Sequence, residues 1–168
     1  DKELMEIGLR GLFIGNYFKW DPSKHTSQMI KKYNWKPSKK KFQRTYRLIS
    51  NVDDRYENGI HDYMKFVKFG YGRATDHSSK DILTGYMTRD QGVKKVKKHD
   101  HILSDDLDHW LKYVDMKKID FYKTADKFRS NKVWFIKKNK WYKENIWGGS
   151  SSYGDVYLSK SEAKKFER

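Results

Sequence analysis

The sequence predicts a predominantly helical α/β fold. Apolar residues recur at helical spacing through the middle of the chain, whereas residues 132–143 alternate in the manner of a β-hairpin. The length of 168 residues is that of one ordinary domain. Aromatic residues make up 16% of the chain and compensate for its few aliphatic residues, since each ring buries on the order of 150–250 Å². We therefore expect a thin core of rings, from which a partner surface is missing.

The first predicted elements are a strand and a helix. Leu12-Phe13-Ile14 lies between two glycines and is predicted to be a short buried strand within residues 11–18. Asp21-Pro22 starts a helix, because Asp is a strong N-cap and Pro is favoured at the first helical position. The stretch from Lys36 to Arg47 has six basic residues and no acidic one, which predicts a loop.

Five further helical segments follow. The first starts at Asp54 with Glu57 and ends at Gly70 or Gly72, because glycine is favoured just beyond a helix. The others are predicted around 78–86, from the Thr88 and Gln91 capping box to about 98, and in two apolar stripes, 107–114 and 121–128.

The end of the chain is predicted as a hairpin, a break and a helix. The run 148–152, Gly-Gly-Ser-Ser-Ser, is typical of a flexible linker. Ser159 and Glu162 form a capping box for a last short helix. We expect residues 1–149 to belong to one functional domain and residues 150–168 to be the linker and the terminal helix.

The composition excludes several classes of protein. A chain without Cys has no disulfide scaffold and no thiolate metal site. Its longest apolar runs are too short for a membrane span, and residues 1–10 do not resemble a signal peptide, so we expect a soluble, cytoplasmic protein. The net charge of +15 favours anionic partners such as nucleic acid, nucleotides or phosphosugars.

The segment 65–81 is the densest candidate for an anion site. Here a helix ends in two glycines and a second helix begins, an arrangement that exposes backbone N–H groups suited to phosphate. Basic, acidic and small residues are expected to line this site: Arg73, Asp76 and Lys80 as catalytic candidates, and His61, Lys65, Lys68, Gly70, Gly72 and Thr75 as substrate-binding candidates. The alternative is structural, with capping glycines, a Thr75 or Asp76 N-cap, and Arg73 paired to a carboxylate.

Two other clusters have competing interpretations. The His and Asp residues of 99–109 resemble a metal site, but three of these carboxylates fall in the first turn of a predicted helix, which favours capping. We assign no metal ligands. Trp134, Trp141 and Trp147 alternate with lysines, which suits either nucleic-acid stacking or a core of rings with a solvated basic face.

Several segments together resemble the N-acetyl sugar amidotransferase family of lipopolysaccharide O-antigen and related surface-sugar pathways. The matching segments are GLFIGNYFKWD (11–21), NVDD (51–54), GIHDY (59–63), KFVKFGYGRATDH (65–77), MTR (87–89), DKFR (126–129) and residues 141–148. The resemblance covers roughly residues 1–149.

This resemblance implies the carboxyl-terminal portion of a Rossmann-like PP-loop ATP pyrophosphatase fold. The complete enzyme is expected to use ATP and Mg²⁺ to adenylate the acetamido oxygen of a nucleotide- or lipid-linked N-acetyl sugar. Ammonia from a glutaminase partner then displaces AMP and leaves an acetamidino group.

The chain departs from the family pattern at its pyrophosphate loop. The family's Ser-Gly-Gly-x-Asp-Ser loop and its amino-terminal cysteines do not occur in this sequence. We therefore expect an amino-terminal half to be missing and the chain alone to bind no cofactor. The alternatives are a basic nucleic-acid-binding domain, whose binding would be weak and nonspecific, and an inactive structural remnant.

Overall fold

The computed structural model describes residues 2–49 and 55–167 and divides the chain into two compact units. The first unit ends at Lys36 and the second begins at Pro37. The described helices are α1 (Lys2–Glu6), α2 (Pro22–Tyr33), α3 (Arg55–Phe69), α4 (Arg73–Leu83), α5 (Arg89–His99), α6 (Leu107–Tyr113), α7 (Lys118–Lys127) and α8 (Lys160–Ala163). The strands are β1 (Trp134–Lys137), β2 (Lys140–Glu144) and β3 (Ser150–Asp155). The predominantly helical α/β class is confirmed.

The first unit contains α1, α2 and a single 3₁₀ turn, Ile14–Asn16. The predicted buried strand near 11–18 is wrong, since Phe13 is 79% exposed and its neighbours Leu12 and Ile14 are exposed as well. Its backbone bonds locally instead, with the Asn16 N–H donating to the Phe13 carbonyl. An apolar run becomes a strand only when another strand pairs with it. The predicted start of α2 is confirmed, because the Asp21 carboxylate accepts from the Lys24 N–H at 3.0 Å.

Helix α3 forms the centre of the second unit, because both of its apolar clusters include an α3 residue. The cluster toward the helices contains Ile60, Leu107, Leu111 and Phe121. The cluster toward the sheet contains Phe66, Trp134, Trp141 and Phe166. The expected core of rings is present in the cluster toward the sheet, whereas the cluster toward the helices is mainly aliphatic, and α3 connects the two.

The ends of the helices follow local signals where those signals are strong. Helix α3 ends at Phe69, and Gly70 then adopts φ +77°, as its predicted glycine stop requires. The Thr88 and Gln91 capping box of α5 is confirmed. Helix α4 begins at Arg73 rather than near Ser78, with Gly72 at the N-cap. The predicted α3 start at Asp54 lies outside the described residues.

The three strands form an antiparallel meander in the order β1-β2-β3. The predicted hairpin is confirmed, with Lys138 and Asn139 both at positive φ in its turn. The flexible linker predicted from residue 150 is wrong, because these residues form β3 and pair with β2. The terminal helix with its Ser159 and Glu162 capping box is confirmed as α8.

The sheet is not the parallel sheet of a Rossmann-like core. In the described ranges, all three named strands pair antiparallel, so the ATP-binding core implied by the resemblance is not formed by these residues. Among the helices of the same ranges, none has the length and apolar character needed to cross a membrane.

Candidate functional site: a salt-bridged corner and the adjoining cleft

The corner between α3 and α4 is built on the buried carboxylate of Asp62, which is 2% exposed. Arg73 donates to one oxygen of this carboxylate through Nε at 3.0 Å and through Nη2 at 2.8 Å. Arg44, which lies in the loop before α3, donates to the other oxygen of Asp62. Two guanidinium groups therefore share one buried carboxylate, and this tie fixes the start of α4 against α3.

The ionised state of Asp62 is maintained by these two arginines. Burial by itself would raise the pKa of Asp62, but the hydrogen bonds and charge of Arg73, together with the charge of Arg44, hold that pKa below its ordinary value. The carboxylate is thus charged at neutral pH and forms a structural ion pair.

Three of the other predicted residues, Asp76, Lys65 and His61, join the same network. Asp76 accepts from Lys65 and lies 3.5 Å from Nη1 of Arg73. His61 is largely exposed, and its Nδ1 lies 3.1 Å from Asp62. Lys68 and Lys80, which the sequence placed in the same site, are exposed. The structure therefore pairs Lys65 and Arg73 with carboxylates, and the pairing of Arg73 is the one that the structural alternative names.

The N-terminus of α4 is occupied by Asp100, a residue at the end of α5. Its carboxylate accepts from the Gly72 N–H at 2.8 Å, the Thr75 N–H at 3.0 Å and the Thr75 hydroxyl at 2.5 Å. The expectation that the N–H groups at this helix start are free for phosphate is wrong for Gly72 and Thr75, because a buried carboxylate already accepts from both. Neither Thr75 nor Asp76 is the N-cap, a position held by Gly72, where a Cβ would lie 2.8 Å from the Asp100 carbonyl oxygen.

The loop 42–47, part of the predicted basic loop, docks its side chains on α3, α4 and α5. Arg47 and Tyr46 both donate to Asp81, and the Thr45 hydroxyl lies 2.6 Å from Nδ1 of His77. Burial, with the charges of Arg47 and Arg73, lowers the pKa of His77 to about 4, so this ring is neutral at pH 7. The two arginines of this loop, Arg44 and Arg47, are therefore used internally.

A small cleft of about 60 Å³ opens beside the corner, between the end of α3, the end of α5 and the sheet. It includes two residues that the sequence proposed for substrate binding, Gly70 and Thr75. The full lining is Phe66, Gly70, Tyr71, Thr75, Val96, Asp100, His101, Lys143, Ile146, Trp147 and Tyr153.

Lys143 is the buried cation of this cleft, with 8% of its surface exposed. Its Nζ donates to the Glu144 carbonyl at 2.8 Å and lies 5.5 Å from the centre of the Tyr153 ring. Burial lowers the pKa of Lys143, and the negative charge of Asp100 opposes that shift. The interpretation of the sheet lysines as a solvated face is therefore wrong for Lys143. The sequence contained a signal for the burial of Lys143. Side chains two residues apart in a strand point to the same face, and Lys143 lies two residues after the buried Trp141.

The tryptophans divide between core and cleft. Trp134 and Trp141 are fully buried, which confirms the core interpretation for these two rings and removes them as a platform for stacked bases. Trp147 lines the cleft, with Nζ of Lys97 5.7 Å from its ring centre. Nζ of Lys65 lies 4.8 Å from the ring centre of Tyr71 in the same cleft. Aromatic faces and ammonium groups therefore occur together here.

The acidic cluster 99–109 has structural partners. Asp100 caps α4, Asp106 accepts from Ser104 at 2.8 Å, and Asp108 pairs with Lys118 at 3.0 Å. Across the described ranges, no three His, Asp or Glu side chains converge as metal ligands would. With the N-terminus of α4 filled by Asp100, these residues do not fit the Mg²⁺–ATP site that the resemblance implies for the complete enzyme.

Comparison with known proteins places the chain in a family. No curated protein matches it. The family model described as LPS biosynthesis protein WbpG-like, C-terminal domain, matches residues 32–146, which is more than half of the chain and includes the corner and most of the cleft lining. The chain belongs to this family of WbpG-like LPS biosynthesis proteins, whose C-terminal domain it contains.

Proposed function

We propose that this chain forms the acceptor-binding part of an ATP-dependent N-acetyl sugar amidotransferase in lipopolysaccharide biosynthesis. In that reaction ATP supplies the activation of the acetamido oxygen, and ammonia replaces this oxygen to give an acetamidino group. The described residues would bind and orient the sugar-linked substrate, while the ATP-binding half lies on a segment that precedes them.

The cleft beside the corner carries this proposal. It lies largely inside the matched region and combines aromatic walls, from Tyr71, Trp147 and Tyr153, with a buried ammonium group at Lys143. Aromatic faces pack against the C–H faces of sugar rings, and a few placed polar groups fix the orientation of a ligand in such a pocket. A sugar joined to phosphate presents both kinds of surface.

The partners follow from the same proposal. A nucleotide- or lipid-linked N-acetyl sugar would be the substrate, and a glutaminase subunit would supply ammonia in the cytoplasm. The corner itself would act as a rigid support, because its charged groups are bonded to one another rather than directed to a ligand.

The test is an activity assay on the complete gene product. The enzyme is incubated with ATP, Mg²⁺, ammonium and a uridine-diphosphate-linked N-acetyl sugar, and mass spectrometry detects exchange of the acetamido oxygen for an NH group. Trp147→Ala should lower kcat/KM about tenfold, which corresponds to about 1.4 kcal/mol of lost stabilisation. Tyr113→Ala removes an aromatic ring that is 86% exposed and lies outside the cleft, and it should have no effect.

Two results would contradict the proposal. If Trp147→Ala leaves the rate of oxygen exchange unchanged, the cleft does not bind the substrate. A complete gene product without any amidine formation on nucleotide- or lipid-linked sugars would instead support the structural-remnant alternative.

A further inference from the structure

We infer that a basic groove between the β1–β2 turn and α8 is a docking surface for the anionic headgroups of a phospholipid bilayer. More than half of the residues that line this groove lie beyond residue 146, where the match to the family model ends. The inference rests on the groove alone. It is independent of the proposed function, because binding to a bilayer requires neither ATP nor a sugar.

The backbone brings two distant segments together at this groove. Ile136 of β1 forms a parallel bridge with Glu167, and the Val156 N–H donates to the Asn139 carbonyl at 3.3 Å. The β1–β2 turn and the segment 156–167 therefore lie side by side. They line a groove of about 640 Å³, which is within the range of roughly 300–1,000 Å³ that ligand sites occupy.

The first argument is the positive charge that this groove concentrates. Lys137, Lys138 and Lys160 line it, and all three side chains are exposed. Within the described part of the chain, none of these lysines forms an ion pair with a carboxylate. The acidic side chain in the lining is that of Glu167, so three positive charges are present beside one negative charge. This excess charge is available to an anionic partner.

The second argument is that the turn itself does not require lysine at position 138. Lys138 and Asn139 have φ +50° and φ +55°, a left-handed conformation that favours Gly, Asn and Asp. Asn139 follows this preference and Lys138 does not. The turn therefore presents an ammonium group at a position where local backbone energy favours another residue, which indicates a role for this charge outside the fold.

The third argument is that the apolar part of the groove suits a lipid better than a nucleic acid. The apolar side chains that line the groove are aliphatic: Ile136, Val156, Leu158 and Ala163. Bases stack on aromatic faces, but Trp134 and Trp141 of this sheet are fully buried. A phospholipid carries a phosphate next to apolar carbons, so the phosphate would bind the lysines while the glycerol and acyl carbons contact the aliphatic side chains.

The experiment is sedimentation of the full chain with vesicles at physiological salt. One set of vesicles contains phosphatidylcholine alone, and the other contains about one third phosphatidylglycerol, which is anionic. The wild type should bind the anionic vesicles and not the neutral ones. A triple variant that combines Lys137→Gln, Lys138→Gln and Lys160→Gln should bind about 100-fold more weakly, because each lysine at an anionic surface contributes about fivefold.

A matched triple variant removes the same charge elsewhere. It combines three changes of exposed lysines on α5 and α6 that do not line the groove: Lys94→Gln, Lys98→Gln and Lys112→Gln. Salt screens charges that lie away from the bilayer, so this variant should bind less than about fivefold more weakly than the wild type.

A single change separates lipid binding from folding. Lys138→Asn places a favoured residue at positive φ, so the melting temperature should stay the same or rise. Vesicle binding should still weaken about fivefold, because one ammonium group is lost. A lower melting temperature with unchanged vesicle binding would show that Lys138 serves the fold, and it would overturn the second argument and its lipid contact.

Three other results would overturn the inference. The first is a wild type that does not bind anionic vesicles. The second is equal weakening by the two triple variants, which would show attraction to the overall charge of +15. The third is a dependence on the groove lysines that occurs with a single-stranded oligonucleotide but not with vesicles, which would assign the groove to a nucleic acid. Thermal melting of each variant on the same preparation verifies that it is folded.

Discussion

Replacing Asp62 with asparagine should destabilise the protein more than any other single change at the corner. Asn keeps the size of the side chain but removes the charge that faces Arg44 and Arg73. The side chains of Asp62 and Arg44 are 1% and 4% exposed, so solvent cannot replace the lost partner. The two guanidinium groups would then face a neutral amide that accepts fewer of their hydrogen bonds.

The magnitude follows from the burial of this pair. Removing one partner of a buried ion pair costs about 3–5 kcal/mol. For a chain of this length each kcal/mol shifts the melting temperature by about 2–4 °C, so Asp62→Asn should melt about 6–20 °C below the wild type. Asp76→Asn is the matched control, because this carboxylate is 25% exposed and its pairs should contribute at most about 1 kcal/mol.

The assay is thermal unfolding followed by circular dichroism between pH 7 and pH 3. Because the pKa of Asp62 is held below its ordinary value, its contribution to stability is complete above the unfolded pKa of about 3.9 and is lost as the pH falls through the folded pKa. The difference in melting temperature between the wild type and Asp62→Asn should therefore narrow only in strong acid. A variant that melts within about 2–4 °C of wild type at pH 7, the effect of about 1 kcal/mol, would refute the view that this carboxylate organises the corner.

Four other outcomes are expected. Arg73→Ala should lower the melting temperature, because it removes the two hydrogen bonds that the Arg73 guanidinium donates to Asp62. Loss of turnover with an unchanged melting temperature would instead support the catalytic role predicted from the sequence. His77→Gln should flatten the pH dependence of stability. The His77 ring binds a proton near pH 6.5 in the unfolded chain but only near pH 4 in the folded chain, so the stability of the wild type falls as the pH drops from 6.5 to 4. Parallel plots of stability against pH for the two proteins would contradict this. The chain alone should release no AMP from ATP, and AMP above background in a chromatographic assay would show a phosphate-binding loop of another kind. Its charge of +15 should give weak nucleic-acid binding without sequence preference that decreases steeply with salt, and a selective nanomolar complex at physiological salt would favour the nucleic-acid alternative.

The features that the sequence predicted well are those determined by neighbouring residues. The capping box of Thr88 and Gln91 and the glycine stop at Gly70 each involve groups within one helical turn, so their effect on the backbone is local. The hairpin turn at Lys138-Asn139 is local as well. Each of these signals gives the same structure in almost any tertiary context.

The features that the sequence missed depend on groups distant along the chain. Asp100 caps α4 through the N–H of Gly72, which lies 28 residues earlier, and no local pattern connects the two residues. The serine-rich β3 has little apolar character and is a strand because β2 pairs with it. Conversely, Leu12-Phe13-Ile14 has the composition of a strand but bonds locally in the described structure. The individual catalytic roles predicted for Arg73, Asp76 and Lys80 stay predictions.

The hydrogen bonds from the start of α4 to Asp100 also connect α4 to the end of α5. The two helices pack on each other, and the carboxylate at the end of α5 joins the beginning of α4, so the base of this helical hairpin is fixed. At the tip, Gly85 has φ +80° and open space where a Cβ would lie, with no other atom within 4 Å, and Leu83 is exposed. Amide exchange should therefore be slow at Gly72 and Thr75, whose N–H groups donate to this carboxylate, and a fluorescent label or a short peptide epitope inserted at Gly85 should leave the cleft at the opposite end intact.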